Sequence, residues 1–374
     1  MRLLFAIKGL VIAGGGAERV FVDVANALAA CGHDVHVATF DKPGQALFYD
    51  LDPAIPVHLL GAGDPGVPTP RSNLPKIMIG IRKLARELKP DAAVAFMHST
   101  YVPVAFGLMG TGVPLVLSEH TSAAHFNQRP LQRALVRLVQ KRSYAKTVVS
   151  DVIRSEHPPH WRDNIVVVPN PVDMDTFRRA QTIAPEKLVL CVGGLRFEKG
   201  QEVLIEAFDR IAGNHPDWRL RLVGDGVTRP QIEKQVSQSI HGDRIEIAGV
   251  QKNVAREYAR AAFAVVPSRY ESLALVAVEA MASGRPVIGF ADCAGPAKLI
   301  DDGINGLLVD PGDDRAGALA EAMDRMIRVA ELRQSMGSRA PETVIEYSAD
   351  AVIAQWEKLL SAAAHGSPIP AGSA

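Results

Sequence analysis

"AFAVVPSRYESLALVAVEAMASGRPVIGF", residues 262–290, reads as strand, turn, helix, turn and strand. Ala264–Val266 and Pro286–Gly289 are short apolar runs, and Leu273–Met281 between them is apolar on every side but for one residue. Strands joined through a helix run parallel, and strands without polar alternation are covered on both faces. The stretch therefore predicts a parallel α/β sheet. It also poses a problem. Glu279 is a carboxylate on a helix with no polar face to receive it, and burying it is costly unless something hydrogen-bonds it. The partner is either another side chain or a ligand.

The same alternation runs through the chain. Before it come strands at Leu3–Ile7, Asp34–Thr39, Ala92–Phe96, Pro114–Ser118, Thr147–Val149 and Ile165–Val168. A second series follows at Leu188–Val192, Arg219–Val223, Arg244–Ile247, Ala264–Val266, Pro286–Gly289 and Gly306–Val309. Two open, doubly wound α/β domains are expected, residues 1–172 and 173–349, with the break inside "PNPVDMDTFRRAQTIAPEK", 169–187. A closing helix is expected over 350–364, with an apolar stripe through Val352, Trp356, Leu359 and Leu360, and a disordered tail over 365–374. Ligands of such sheets sit beyond the carboxyl ends of the strands, so the loops after strands are the ones to read.

Composition narrows the class. The 374 residues carry 41 basic and 41 acidic side chains, and a zero balance gives no case for nucleic-acid binding. Cys31, Cys191 and Cys293 are odd in number and widely spaced, which fits reduced thiols and not a disulfide framework. The opening MRLLFAIKGL is broken by Lys8 and resembles a first strand more than a signal peptide. Tyr101–Leu117 is uncharged, but Pro103, Gly107, Gly110, Gly112 and Pro114 punctuate it into helix, turn and strand. A cytoplasmic protein is expected.

Three loops hold candidate chemistry. Gly14, Gly15 and Gly16 open a helix that stops at Gly32, which serves as a plain strand-to-helix turn or as an anion site of bare amides. Gly193 and Gly194 precede Arg196 and Lys199 at another helix start, a place where two cations can hold a diphosphate. Glu271 follows a strand and its turn, with Glu279 two helical turns along. Asp173–Asp175 forms a formal Asp-x-Asp, but the surrounding asparagine and prolines explain a turn without a metal, and no clustered Cys/His set exists.

"RLVGDG", "PSRYESLALVAVEAMASGRPVIG" and "NGLLVDPGD" resemble, in order and spacing, family 4 of the glycosyltransferases, and "GGGAERVFVDVANALAACGHDV" and "VVVPNPVDMDTF" extend the likeness to nearly the whole chain. The resemblance implies the GT-B architecture: two Rossmann-like domains with a cleft between them and a last helix crossing back to the first. It implies retaining transfer from a nucleotide diphosphate sugar, chiefly a UDP-sugar, to a glycan or polyprenyl-diphosphate-linked acceptor, without metal or other cofactor. "FADCAGPAKLIDDGINGLLV" further resembles the bacterial branch that builds surface or lipid-linked glycans. Carried over residue by residue, Glu271, His120 and Lys199 are the implied catalytic residues. The implied donor-binding residues are Gly15, Gly16, Arg196, Lys199, Val250, Leu273, Ala274, Leu275 and Glu279, with the Glu279 carboxylate on the ribose hydroxyls. Two departures stand out. The family's Gly-Arg-Leu reads Gly193-Gly194-Leu195, which leaves Arg196 to replace the missing arginine, and its Glu-Gly-Phe-Gly reads Glu271-Ser272-Leu273-Ala274. A nucleotide-sugar epimerase or phosphorylase of the same fold, or a non-catalytic carbohydrate-binding protein, are the rival readings.

One stretch bears on location. "RPLQRALVRLVQKRSYAK", 129–146, holds Arg129, Arg133, Arg137, Lys141, Arg142 and Lys146 and no acidic residue, with Leu131, Leu135, Leu138 and Val139 as an apolar side. Lys76–Lys89 is similarly basic. The expectation is a peripheral contact with an anionic membrane, on the inner face of the cytoplasmic membrane; an ordinary surface helix is the equal alternative.

Overall fold

The computed structural model describes residues 1–11, 16–63, 67, 69–121, 130–181 and 184–370. Gly14, Gly15, Arg129, the side chain of Leu131 and residues 371–374 lie outside the described residues. The chain divides into two compact units, one of Met1–Pro171 with Ala349–Ala374 and one of Val172–Ser348.

The first unit is built on seven parallel strands: β1 (Arg2–Ile7), β2 (Asp34–Thr39), β3 (Val57–Leu59), β4 (Ala92–Phe96), β5 (Leu115–Glu119), β6 (Ala145–Val148) and β7 (Ile165–Val167), in the order β3-β2-β1-β4-β5-β6-β7. The edge strand β3 is not among the expected ones. It is three residues long, and its Val57-His58-Leu59 carries too short an apolar run to be seen. Helices α1 (Gly16–Ala30), α2 (Leu74–Leu88), α3 (His98–Leu108), α4 (Pro130–Gln140) and α5 (Asp151–Glu156) connect the strands. Alternate residues of β1 point to opposite faces. Leu3, Phe5 and Ile7 enter one core with α1, whereas Leu4 and Ala6 enter another with α2 and α3. The closing helix Ala349–Ala364 joins the first of these through Val352, Trp356, Leu359 and Leu360, the stripe expected from sequence.

The tail departs from expectation. Residues 365–370 are described: the Tyr144 hydroxyl donates to the Ser367 carbonyl at 2.9 Å, and Ile369 packs on the core of this unit. A tail rich in Gly, Ser and Pro is ordered this far because one apolar side chain and one carbonyl find partners.

The second unit has six parallel strands: β8 (Leu188–Val192), β9 (Arg219–Val223), β10 (Ile245–Gly249), β11 (Phe263–Val266), β12 (Val287–Phe290) and β13 (Gly306–Val309), in the order β10-β9-β8-β11-β12-β13. Its helices are α6 (Met174–Ala180), α7 (Gln201–Ala212), α8 (Arg229–Gln238), α9 (Val254–Arg260), α10 (Leu275–Ala282), α11 (Ala294–Leu299), α12 (Arg315–Arg328) and α13 (Ala330–Thr343). In both units the strand order reverses between the first strand and the fourth, β1/β4 and β8/β11. That reversal parts the flanking loops and marks where open sheets take ligands. Among the described residues no helix is long and apolar enough to cross a membrane.

Candidate active site

Lys199 and Glu271 arrive from the two loops at the reversal of the second sheet. Val192 ends β8; Phe197–Lys199 forms a single 3-10 turn, and Gly200 enters α7 with φ +69°. A Cβ at Gly200 would meet the Pro267 carbonyl in the loop after β11, so glycine lets the two loops close together. The main chain ties them further, Arg269 N–H donating to the Glu198 carbonyl at 2.8 Å. The result is direct contact: the Lys199 ammonium donates to Glu271 Oε1. Glu271 is only 9% exposed, and Ser268 Oγ approaches the same oxygen at 3.3 Å. Gly295 N–H, at the start of α11, donates to the Glu271 carbonyl at 2.9 Å and fixes its backbone.

The pair has a buried floor. Cys191 lies behind it, its thiol pushed up to about 12 by burial, and burial likewise raises Cys293 to about 11. Both thiols stay protonated, so neither is a nucleophile.

Arg196 and Gly194 sit at the mouth of the same loop. Arg196 is exposed and 4.0 Å from Glu198 Oε1, while its Nε lies 3.7 Å from where a Cβ on Gly194 would stand. The guanidinium occupies the neighbourhood of the side chain that Gly194 lacks. Val250, after β10, is exposed.

Glu279 resolves differently from expectation. Helix α10 is not enclosed all round: Leu275, Val276 and Glu279 are half-buried along one side, and Ala277, Val278, Ala280 and Met281 fill the core. Glu279 has a protein partner, the Tyr258 hydroxyl on α9 donating to Oε2 at 3.0 Å. Tyr258 is itself buried, packed edge-on against Phe177 at 5.9 Å, and burial with the neighbouring carboxylate raises its phenol well above the ordinary range. The carboxylate whose partner the sequence left open between a side chain and a ligand has a side chain, Tyr258, and lies on a face that stays partly open. At the start of α10, the Leu275 amide is already spent on the Leu273 carbonyl at 3.0 Å, and Ala274 is fully buried.

Asp173 caps α6, accepting from Thr176 N–H at 3.1 Å and Thr176 Oγ1 at 2.6 Å. Those bonds hold its carboxyl below the ordinary range against partial burial. The Asp-x-Asp is a helix start, and among the described residues no group of three or more His, Cys, Asp or Glu side chains could hold a metal.

In the first unit, Gly16 is the exposed first residue of α1. His120 follows β5. Its ring stacks on Phe96 at 5.3 Å, its Nε2 lies 3.0 Å from Ser118 Oγ, and Nδ1 is enclosed beside Asn170. Burial lowers it to about 4, so the ring is neutral at physiological pH. Sequence reading passed over two neighbours, His98 and Glu119. A carboxylate closing the apolar strand LVLSE was the signal available for the second.

The Glycosyltransferase Family 4 model matches residues 14–176, and the Glycosyl transferases group 1 model matches 173–343. The D-inositol 3-phosphate glycosyltransferase of Thermobispora bispora is 30% identical over 85% of this chain and 84% of its own. A Campylobacter jejuni enzyme, the GalNAc-alpha-(1->4)-GalNAc-alpha-(1->3)-diNAcBac-PP-undecaprenol alpha-1,4-N-acetyl-D-galactosaminyltransferase, is 26% identical over 96% of this chain and 98% of its own. The chain spans 39% of the length of another relative, the Streptomyces coelicolor exopolysaccharide phosphotransferase SCO2592, at 25% identity over 93% of this chain. Among solved structures, Anabaena HepE in complex with UDP and glucose matches with a TM-score of 0.76 and 21% identity, over 96% of this chain and 99% of that one. Two parallel-sheet Rossmann-like units of this kind define the GT-B architecture. The chain belongs to the family 4 glycosyltransferases.

Proposed function

We propose that the protein is a retaining glycosyltransferase that moves a sugar from a nucleotide diphosphate sugar, a UDP-sugar, to a glycan or lipid-linked acceptor in bacterial glycan synthesis. The contact between Lys199 and Glu271, at the strand-order reversal of the second sheet, carries the reading. The C. jejuni relative's printed acceptor is undecaprenyl-diphosphate-linked, and HepE holds UDP, which supports the substrate classes.

In this reading Glu279, braced by Tyr258, takes the ribose hydroxyls, and Lys199 with Arg196 neutralises the diphosphate. As the bond from the anomeric carbon to the diphosphate oxygen breaks, negative charge gathers on the leaving phosphate, where a fixed ammonium stabilises it most. The acceptor hydroxyl bonds to the same face of that carbon, and its proton passes to a phosphate oxygen. Glu271 orients Lys199 and meets the donor sugar; His120, neutral, lies toward the transferred sugar. No step needs a metal. The exposed Arg133 of α4 and the exposed Lys141 just past its end support a contact of the first unit with the inner face of the cytoplasmic membrane, where a lipid-linked acceptor is met.

Thermal-shift screening against UDP-, GDP- and ADP-sugars, followed by mass analysis with candidate acceptors, tests the reading. Stabilisation by a UDP-sugar and a product heavier than the acceptor by one sugar are expected. Epimerised donor formed without acceptor, or binding with no turnover of any donor, would overturn it.

A further inference from the structure

Beneath His120 lies a buried polar network. Glu119, the last residue of β5, is 1% exposed, yet it stays ionised. Burial alone would push its carboxyl up; His98, Lys146 and Thr121 together bring it down to about 2. Thr121 N–H and Oγ1 both donate to Oε1, at 3.2 and 2.6 Å, so the carboxylate pins the turn that contains His120. His98 Nδ1 lies 3.7 Å from the same oxygen. Lys146, buried on β6, faces the carboxylate from the next strand and has His157 Nε2 at 3.4 Å. The Tyr101 hydroxyl approaches from α3 without completing a hydrogen bond, leaving Oε2 unpartnered.

His98 is placed with unusual care. It is the first residue of α3, directly after β4, on the strand that borders β1 at the reversal of the first sheet. Met97 before it has φ +68°, a conformation that a side chain rarely adopts and that the fold must enforce. Met97 N–H donates to the Ser118 carbonyl at 2.8 Å, and Thr100 Oγ1 donates to the Met97 carbonyl at 2.7 Å, which holds that turn. Phe96 and Ser118 are register partners, so His98 and His120 stand at the ends of neighbouring strands. Of the two, His120 has one nitrogen on Ser118 and the other enclosed. His98 is the one with a carboxylate beside it, at 3.7 Å, a contact that would fix the imidazole's tautomer and orientation once it tightens to hydrogen-bond length in the substrate complex.

We infer that His98 contacts a sugar hydroxyl in the transfer reaction and that Glu119 is its positioning residue, through the carboxylate shared by His98 and the His120–Thr121 turn. The inference rests on the transferase reading, and the sugar is either the one transferred or the acceptor's.

Three variants test it: His98→Gln, Glu119→Gln, and Glu119→Gln with Lys146→Met, which removes both buried charges so that neither is left unpaired. Hydrolysis of UDP-glucose and UDP-N-acetylglucosamine by water forms one arm, and transfer to the acceptor found by mass screening forms the other. His98→Gln should lower turnover about three- to tenfold, the scale of one hydrogen bond between neutral groups, with UDP affinity by calorimetry unchanged. A fall in both arms assigns the transferred sugar; a fall in transfer alone assigns the acceptor. The ring 15N spectrum of wild type should show His98 in its Nδ1–H form, and the double variant should lose that single tautomer together with turnover. Wild-type turnover within twofold in His98→Gln, or an unchanged His98 tautomer in the double variant, would overturn the inference. Wild-type protein that binds UDP but releases no sugar in either arm overturns the transferase reading and the sugar contact, and the spectrum still decides the pairing.

Discussion

The Tyr258 hydroxyl donates to Glu279 Oε2 at 3.0 Å, joining α9 to α10 in the second unit. A hydrogen bond to a charged group is worth roughly 1.5–3 kcal/mol, so this one both orients the carboxylate and offsets part of its burial cost. Glu279→Gln should weaken UDP binding by about ten- to hundredfold in a folded protein. Tyr258→Phe should weaken it less, because Glu279 remains, and the double variant should fall short of the sum of the two. Calorimetry with UDP decides, and unchanged affinity in folded Glu279→Gln would end the ribose role.

Lys199 is expected to do what a metal does in other transferases. Lys199→Ala should lower the rate by orders of magnitude, through lost stabilisation of the leaving group and loss of the partner that holds Glu271. Activity should persist in excess chelator. Asp173→Ala should cost about 1 kcal/mol of stability as a lost helix cap and leave metal dependence unchanged. Loss of activity in chelator with recovery on adding manganese would return Asp173 and Asp175 to the chemistry.

Arg196 and Gly194 form a testable swap. Arg196→Ala should reduce turnover, and Gly194→Arg in that background should recover part of it. A Cβ at Gly194 meets nothing nearer than the Asp225 carbonyl at 3.6 Å, so the larger residue fits. Equal turnover of Arg196→Ala and wild type would separate the exposed arginine from the diphosphate.

These sites show what local sequence carries. The parallel sheets follow from strand and helix alternation, because strands joined through helices run parallel, whereas the strand order within each sheet comes from packing between distant segments. Residues 271–279 were legible because a carboxylate breaks an apolar helix. Tyr258 was not: it lies 21 residues upstream in an ordinary amphipathic pattern, and only packing of α9 on α10 brings its hydroxyl to Glu279. His98 and Glu119 likewise meet only because β4 and β5 pair in one register. Helix α4 shows the opposite error. Val136 and Val139 fill the core as an amphipathic helix should, but Leu138, placed on the apolar side from sequence, is 38% exposed.

Acid should weaken the first unit before its carboxylates titrate. Burial, with Lys146 beside it, lowers His157 to about 4, and burial lowers His120 to about 4. Both pKa values lie below the unfolded value near 6.5, so between about pH 6.5 and 4 the unfolded chain binds protons that the folded one refuses. Each histidine then costs up to about 1.4 kcal/mol per pH unit as pH falls through that window. Glu119, with its folded value at about 2, adds stability above pH 4.5 that is lost only below it. His157→Gln should flatten the decline in melting temperature between pH 6.5 and 4. An unchanged slope would mean that His157 titrates alike in both states.

Membrane contact is the last expectation, and side-chain placement sharpens it. On α4 the Arg137 guanidinium lies 4.5 Å from the Trp161 ring centre and Arg133 5.8 Å; Arg133 is exposed, as are Lys141 and Arg142 in the turn just past the helix. Arginines stacked on an aromatic ring keep their charge and lose little further entropy on meeting a phosphate. On α2, by contrast, Lys76 donates to the Gly61 carbonyl and Lys83 faces Glu87, so its positive surface is partly spent. Each basic residue near an anionic surface contributes about 1 kcal/mol, which makes several on α4 and the turn after it enough for reversible binding. Co-sedimentation with vesicles should therefore require anionic lipid and weaken with salt. Glutamine at Arg133, Arg137 and Lys141 together should abolish most of it, with glutamine at Lys76 and Lys83 doing less. Equal indifference to anionic and neutral vesicles at low salt would leave α4 an ordinary surface helix whose arginines serve Trp161.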